Sequence, residues 1–217
     1  MKLHLGCGQR YLDGYINIDF PSSSHSIQET SVADLHADIL SLHYPEKSVE
    51  EIRSHHVFEH FPRPIACALL AGWYLWLKEG GLLRIEVPDF RRTAQRLLNP
   101  FLSFKKRAVA ERHLYGSHEA PWAVHCEGYT PEMLRTMLQN FGFHAIKTRG
   151  NAWQGTYNFE VYSVKSTGSI TPEDFEQITL HFLSNFLLCP EGSEAKLLST
   201  WLNLYRTQVQ NMLTNKC

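Results

Sequence analysis

KLHLGCGQRYLDGYINIDF, residues 2–20, is the stretch whose reading decides the fold. Leu3 and Leu5 flank His4 and run into Gly6-Cys7-Gly8, the pattern of a short buried strand that stops at a glycine turn. A second short apolar run, Tyr15-Ile16-Asn17-Ile18, ends on Asp19. A glycine turn after one strand and a carboxylate at the end of the next is how an open α/β sheet holds a nucleoside. The backbone approaches where no Cβ intervenes, and the acid accepts from ribose hydroxyls. A dinucleotide fingerprint would need a third glycine where Tyr11 stands, so a pyrophosphate-binding first helix is not expected.

Downstream, two strand-like runs punctuate the chain. Val49 to Arg53 leads into Ser54-His55-His56-Val57-Phe58-Glu59-His60-Phe61, and Leu82 to Val87 ends at Pro88-Asp89-Phe90. Between them, Ala66, Leu69, Leu70, Trp73, Trp76 and Leu77 recur at helical spacing after Pro64, and Gly80-Gly81 marks the stop. A further helix starts at Thr130-Pro131-Glu132 and ends near Gly142. Residues 143–147 and 158–163 read as the last two strands, with a turn over Gly150 to Gly155.

The words LHLGCG…INID, HVFEHF, LKEGG and VPDF resemble the class I S-adenosylmethionine-dependent methyltransferases, related to the type 11 methyltransferase domains. Tyr115-Gly116, His125, Tyr129 and Gly142-Phe143 extend the resemblance, which stops near Gly168. It implies an α/β fold: a Rossmann-like, mostly parallel seven-stranded sheet flanked by helices, with the last strand antiparallel. It also implies S-adenosylmethionine as cofactor, held by Gly6, Cys7, Gly8 and Asp19, with Asp38 beside the adenine and His55 lining the pocket. The acceptor it suggests is a small molecule, a sugar or polysaccharide precursor, methylated on oxygen or nitrogen.

The sulfonium carbon is already electrophilic, so catalysis is alignment, exclusion of water and, for an acceptor of high pKa, a base. His125 and His56 are the candidate bases. Asp89 is a weaker one, because an unshifted carboxylate titrates near pH 4. The loop that carries His118, Glu119, Trp122, His125, Glu127 and Tyr129 is dense in groups able to bind or titrate.

Two other function classes are open. One is a catalytically silent cofactor binder or interaction protein. The other is a zinc peptidase, because His56-x-x-Glu59-His60 spells the inverted zincin motif. Pro62 and Pro64 follow within a turn and no third ligand is announced, so no metal is expected.

Of the 217 residues, 20% are charged and the net charge is -1, so no overall field recruits nucleic acid or an acidic bilayer. Five scattered cysteines without a CxxC pair suit a reducing compartment. With no leader pattern and no long apolar run, the cytoplasm is the expected location. The expected organisation is a methyltransferase domain over 1–167 and a C-terminal helical extension over 168–217. Two short apolar-faced helices there need cover, either by packing back on the domain or by forming a homodimer.

Overall fold

Alternating side chains in the strands divide the sheet into one apolar and one polar face. In β1 (Lys2–Leu5) and β2 (Ile16–Asp19), Leu3, Leu5 and Ile18 point one way, and His4 and Asn17 the other. The register carries this through β4 (Val49–His55), β5 (Leu77–Pro88) and β7 (Thr156–Lys165). Ile52, Leu83, Ile85, Phe159 and Val161 are fully buried on the apolar face. On the polar face, Arg84 reaches Glu160 at 2.9 Å and Glu51 at 3.4 Å, and Arg53 reaches Glu160 at 3.4 Å. Charges this poorly hydrated persist because each is paired.

The computed structural model describes residues 1–21, 23 and 30–214. The expected surface loop over Pro21 to Ser31 falls largely outside them, as does Cys217. The strand order is β3-β2-β1-β4-β5-β7-β6, with β3 (Leu35–His36) and β6 (Phe143–Trp153) at the edges. Neighbours from β3 to β5 are parallel, and β7 runs antiparallel to both β5 and β6. This is the expected Rossmann-like sheet with its last strand antiparallel. The chain leaves β1 towards β2 on one side and returns to β4 on the other, so a crevice opens at the carboxyl end of β1. Residues 6–15 cross it as turns without a helix, in line with the missing third glycine.

Helix α1 (Arg63–Trp76) is buried almost all round, since the apolar core lies on one side and the C-terminal helices on the other. Those are α5 (Pro172–Ser184), opened by a Thr171–Asp174 capping box, and α6 (Gly192–Thr214). Phe175 meets Tyr74 and Phe141, and α6 approaches closely at Gly72, where a Cβ would lie 2.3 Å from Met212 Cε. The extension therefore packs back on this chain. Helices α2 (Phe90–Leu97), α3 (Phe104–Tyr115) and α4 (Pro131–Asn140) complete the fold. Among the described residues, no helix is long and apolar enough to cross a membrane.

Two local expectations are corrected. Strand β6 continues to Trp153, so the hairpin turn is only Gln154-Gly155, both at positive φ. Helix α1 ends at Trp76, ahead of the Gly80-Gly81 stop, because Leu77 already pairs with Val49 in the sheet.

Candidate functional site

The crevice is a cavity of about 790 Å³, and its floor is built by the first glycine turn. The amides of Gly6 and Cys7 both donate to Ile18 O, at 2.9 and 3.1 Å, which folds the end of β1 over β2. Gly6 (φ +68°) has no room for a side chain, since a Cβ there would lie 1.9 Å from Val57 Cγ2. Gly8 (φ +54°) faces open space. Its amide donates to Asp19 Oδ2 at 2.6 Å, and Phe20 N donates to Asp19 Oδ1 at 2.7 Å. Asn17 pins the loop behind them, accepting from Leu12 N and donating to Leu12 O, Tyr15 O and Asp34. Gly6, Cys7, Gly8, Asp19, Asp38, His55 and His56 all line the cavity.

Asp38 is the N-cap of a short turn, Ile39–Ser41, through a 2.9 Å bond from Leu40 N. Leu40 and Ile39 thereby form an apolar wall next to a carboxylate. Phe20 and Trp122, which also line the cavity, pack with their rings tilted by 42° and ring centroids 5.9 Å apart. Trp122 comes from the dense loop noted in the sequence. Phe20, Arg10 and the Ile39–Leu40 wall carry no signal in the sequence, because each is a single ordinary residue in a connecting segment. Among the described residues, none of α5 or α6 lines the cavity. The extension touches the wall from behind, where Gln208 donates to Leu40 O at 2.8 Å.

At the mouth, beyond β4, the histidines gather around two carboxylates. His56 (φ +52°) lies between Glu59 Oε1, 3.3 Å from Nδ1, and Glu86 Oε1, 3.8 Å from Nε2. Burial presses the His56 pKa down, but hydrogen bonding and charge from Glu59, with Glu86, more than reverse this and leave it raised. Burial likewise opposes the Glu86 charge, yet bonds from His55 and Asn151 hold its carboxyl down at about 2. His55 Nε2 lies 3.5 Å from the same Glu86.

Glu59 sits in a single 3-10 turn, Phe58–His60. His56 precedes that turn in a left-handed conformation, so His56 and His60 do not share a helical face and the zincin geometry is absent. His125 comes from the α3–α4 connection. Cys126 N and Glu127 N donate to Glu59 O at 2.8 and 3.1 Å, which brings His125 Nε2 to 3.9 Å from Glu59 Oε1. Burial lowers the His125 pKa, Glu59 opposing. His125 is not a cavity wall, whereas His56 and His60 are. Asp89 is buried and caps α2 through Arg92 N at 3.0 Å, which leaves its carboxylate in a structural task.

No family model matches the sequence, and no curated protein does. Solved structures share the fold. A SAM-dependent methyltransferase from Methanosarcina mazei aligns over 77% of this chain and 92% of its own, with 16% identity and a TM-score of 0.51. A chain from the complex of the Haloferax volcanii Trm112 methyltransferase activator with a methyltransferase aligns over 78% and 83%, at 13% identity and 0.53. The S-adenosylmethionine-dependent methyltransferase from Mesorhizobium loti gives 76% and 90%, at 14% and 0.50. At such identities the likeness is one of fold.

Proposed function

We propose that the chain binds S-adenosylmethionine and transfers its methyl group to an oxygen or nitrogen of a small acceptor, a sugar or polysaccharide precursor. The observation that carries this reading is the Gly8–Asp19 pair on the floor of a 790 Å³ cavity at the carboxyl ends of β1, β2 and β4. Gly8 leaves space for the methionine part to lie on the backbone, and Arg10 on the rim supplies a cation for its carboxylate. Asp19 accepts from the ribose hydroxyls. Asp38, beside Leu40, frames the adenine with Phe20 and Trp122, and His55 closes the pocket next to Gly6 and Cys7.

The acceptor enters at the histidine-lined mouth. His56 reaches the cavity and takes the proton as the methyl group moves in line from sulfur to the acceptor. His125 stands behind it against Glu59. The experiment is calorimetry with S-adenosylmethionine, its demethylated product and NAD, followed by methyl transfer across sugars, nucleotide sugars, acids and amines. Binding of the first two but not NAD, with turnover on at least one acceptor, is the expected result. Cofactor binding without turnover on any acceptor would favour a silent binder, and no binding would reject the reading.

A further inference from the structure

Glu59, His60 and His125 form a cluster of one carboxylate and two imidazoles beside the cavity, each offering a ligand atom within 4.8 Å of the others. Two observations set it apart from an ordinary hydrogen-bonded group. The first is the tautomers. His60 Nδ1 lies 3.1 Å from Val124 O, and His125 Nδ1 lies 3.2 Å from Leu114 O. A carbonyl only accepts, so each Nδ1 carries a proton, and the neutral form of each ring presents its lone pair at Nε2. In His125 that lone pair faces the Glu59 carboxylate at 3.9 Å. His56 Nδ1 reaches the same Glu59 Oε1 at 3.3 Å, so the oxygen left over for a further ligand is Oε2.

The second observation is an orphan. Glu59 is 1% exposed, and its Oε2 has no hydrogen-bond partner. An unsatisfied carboxylate oxygen at that depth is costly. A histidine that donates its remote N–H to a backbone carbonyl is also how proteins orient imidazole ligands of metals. The chain builds this deliberately: the Glu59 carbonyl accepts two amides from residues 126 and 127, and Val124 holds His60, so the two segments are locked face to face.

We propose that Glu59, His60 and His125 bind a first-row divalent cation of the Mn²⁺ to Zn²⁺ class. Two imidazoles and one carboxylate suit these ions, whereas Ca²⁺ and Mg²⁺ ask for oxygen almost throughout. Ligand atoms on a tetrahedral ion with bonds of roughly 2.0–2.1 Å lie about 3.4 Å apart, so the His125–Glu59 pair closes by about half an ångström on binding. His60 is also a cavity wall, so the remaining coordination positions open toward the acceptor end of the cavity. A second cluster, His55, His56 and Glu86, is nearby, but there Asn151 already donates to Glu86 Oε1 at 2.9 Å. The inference stands whether or not the chain transfers methyl groups.

The test strips the full chain with a chelator and titrates it with Co²⁺, following the visible ligand-field bands, and with Zn²⁺, following thermal unfolding. One equivalent of Co²⁺ is expected to give the bands, and Zn²⁺ at one hundred times its Kd to raise the midpoint by roughly 5–10 °C. His60→Asn and His125→Asn should each lose both signals, while His55→Asn keeps them. No uptake, uptake that survives in both variants, or uptake lost only in His55→Asn would overturn the proposal. If either variant fails to fold, proton spectra of the Co²⁺-loaded parent decide: two exchangeable, hyperfine-shifted imidazole N–H signals support the site, and fewer overturn it.

Discussion

The Gly8 amide and the Asp19 carboxylate, eleven residues apart, are 2.6 Å apart in space, and this bond joins the turn after β1 to the end of β2. The carboxylate that is proposed to meet the ribose is therefore aimed by the backbone of the turn that is proposed to meet the methionine. Asp19→Ala is expected to remove charge-assisted ribose bonds of roughly 1.5–3 kcal/mol each and so weaken S-adenosylmethionine binding at least tenfold. Calorimetry on the folded variant checks this, and unchanged affinity would remove Asp19 from the pocket.

The two glycines separate structure from ligand. Gly6→Ala places a methyl group on Val57 at a positive φ, and should cost about 2–4 kcal/mol of stability with or without ligand. Gly8→Ala meets no protein atom, so only the left-handed backbone penalty of about 1–2 kcal/mol remains, yet cofactor affinity should fall at least tenfold. Urea unfolding read beside calorimetry distinguishes the two. Equal destabilisation by both would contradict the packing seen at Gly6.

His56 holds a conformation that suits glycine, as strained residues at functional sites do. His56→Gly should be more stable than His56→Ala by about 1 kcal/mol, because both lose the imidazole and only one relieves the backbone. Both should lower turnover by roughly 10²- to 10⁴-fold with cofactor affinity near that of the parent. Identical unfolding midpoints would refute the strain, and full turnover would refute the base.

His4 is fully buried and bonded through Nδ1 to Asn17 at 3.0 Å. Burial lowers its pKa; the Asn17 bond opposes this, and the charges of His55, Arg53 and Arg10 add to it. The unfolded chain takes up this proton first as pH falls through about 6.5, so the stability that neutral His4 contributes is complete above that pH and declines below it. The stability difference between the parent and His4→Gln should accordingly shrink between pH 7 and pH 5. A constant difference in denaturation measurements across that range would exclude a depressed His4.

Cysteine reactivity tests the floor of the cavity without a ligand. Burial, and then the Asp19 charge, push the Cys7 thiol up to about 12, and burial pushes Cys67 up as well. Cys189 is exposed. Alkylation of the native protein near pH 8 should label Cys189 and spare Cys7 and Cys67, since only an accessible thiolate reacts. Peptide mass spectrometry would expose the opposite pattern.

What the sequence by itself determined is what local spacing encodes. Leu3 and Leu5 at period two, the Thr130-Pro131 start, the α1 stripe and the two glycines before Asp19 each state a preference of a few adjoining residues, and the sheet follows from them. Even the absence of a first helix was legible, in Tyr11. Spacing could not place the hairpin turn, because Gly150 sits inside a strand whose pairing with Phe159 overrides its own preference. Only the tertiary structure decided the site's mouth. His125 reaches Glu59 across 65 intervening positions through backbone bonds from residues 126 and 127, and Phe20 meets Trp122 only when two loops close over the sheet. Hydrogen bonds and ring contacts between distant segments depend on where the chain is carried, and no periodicity in the residues themselves records it.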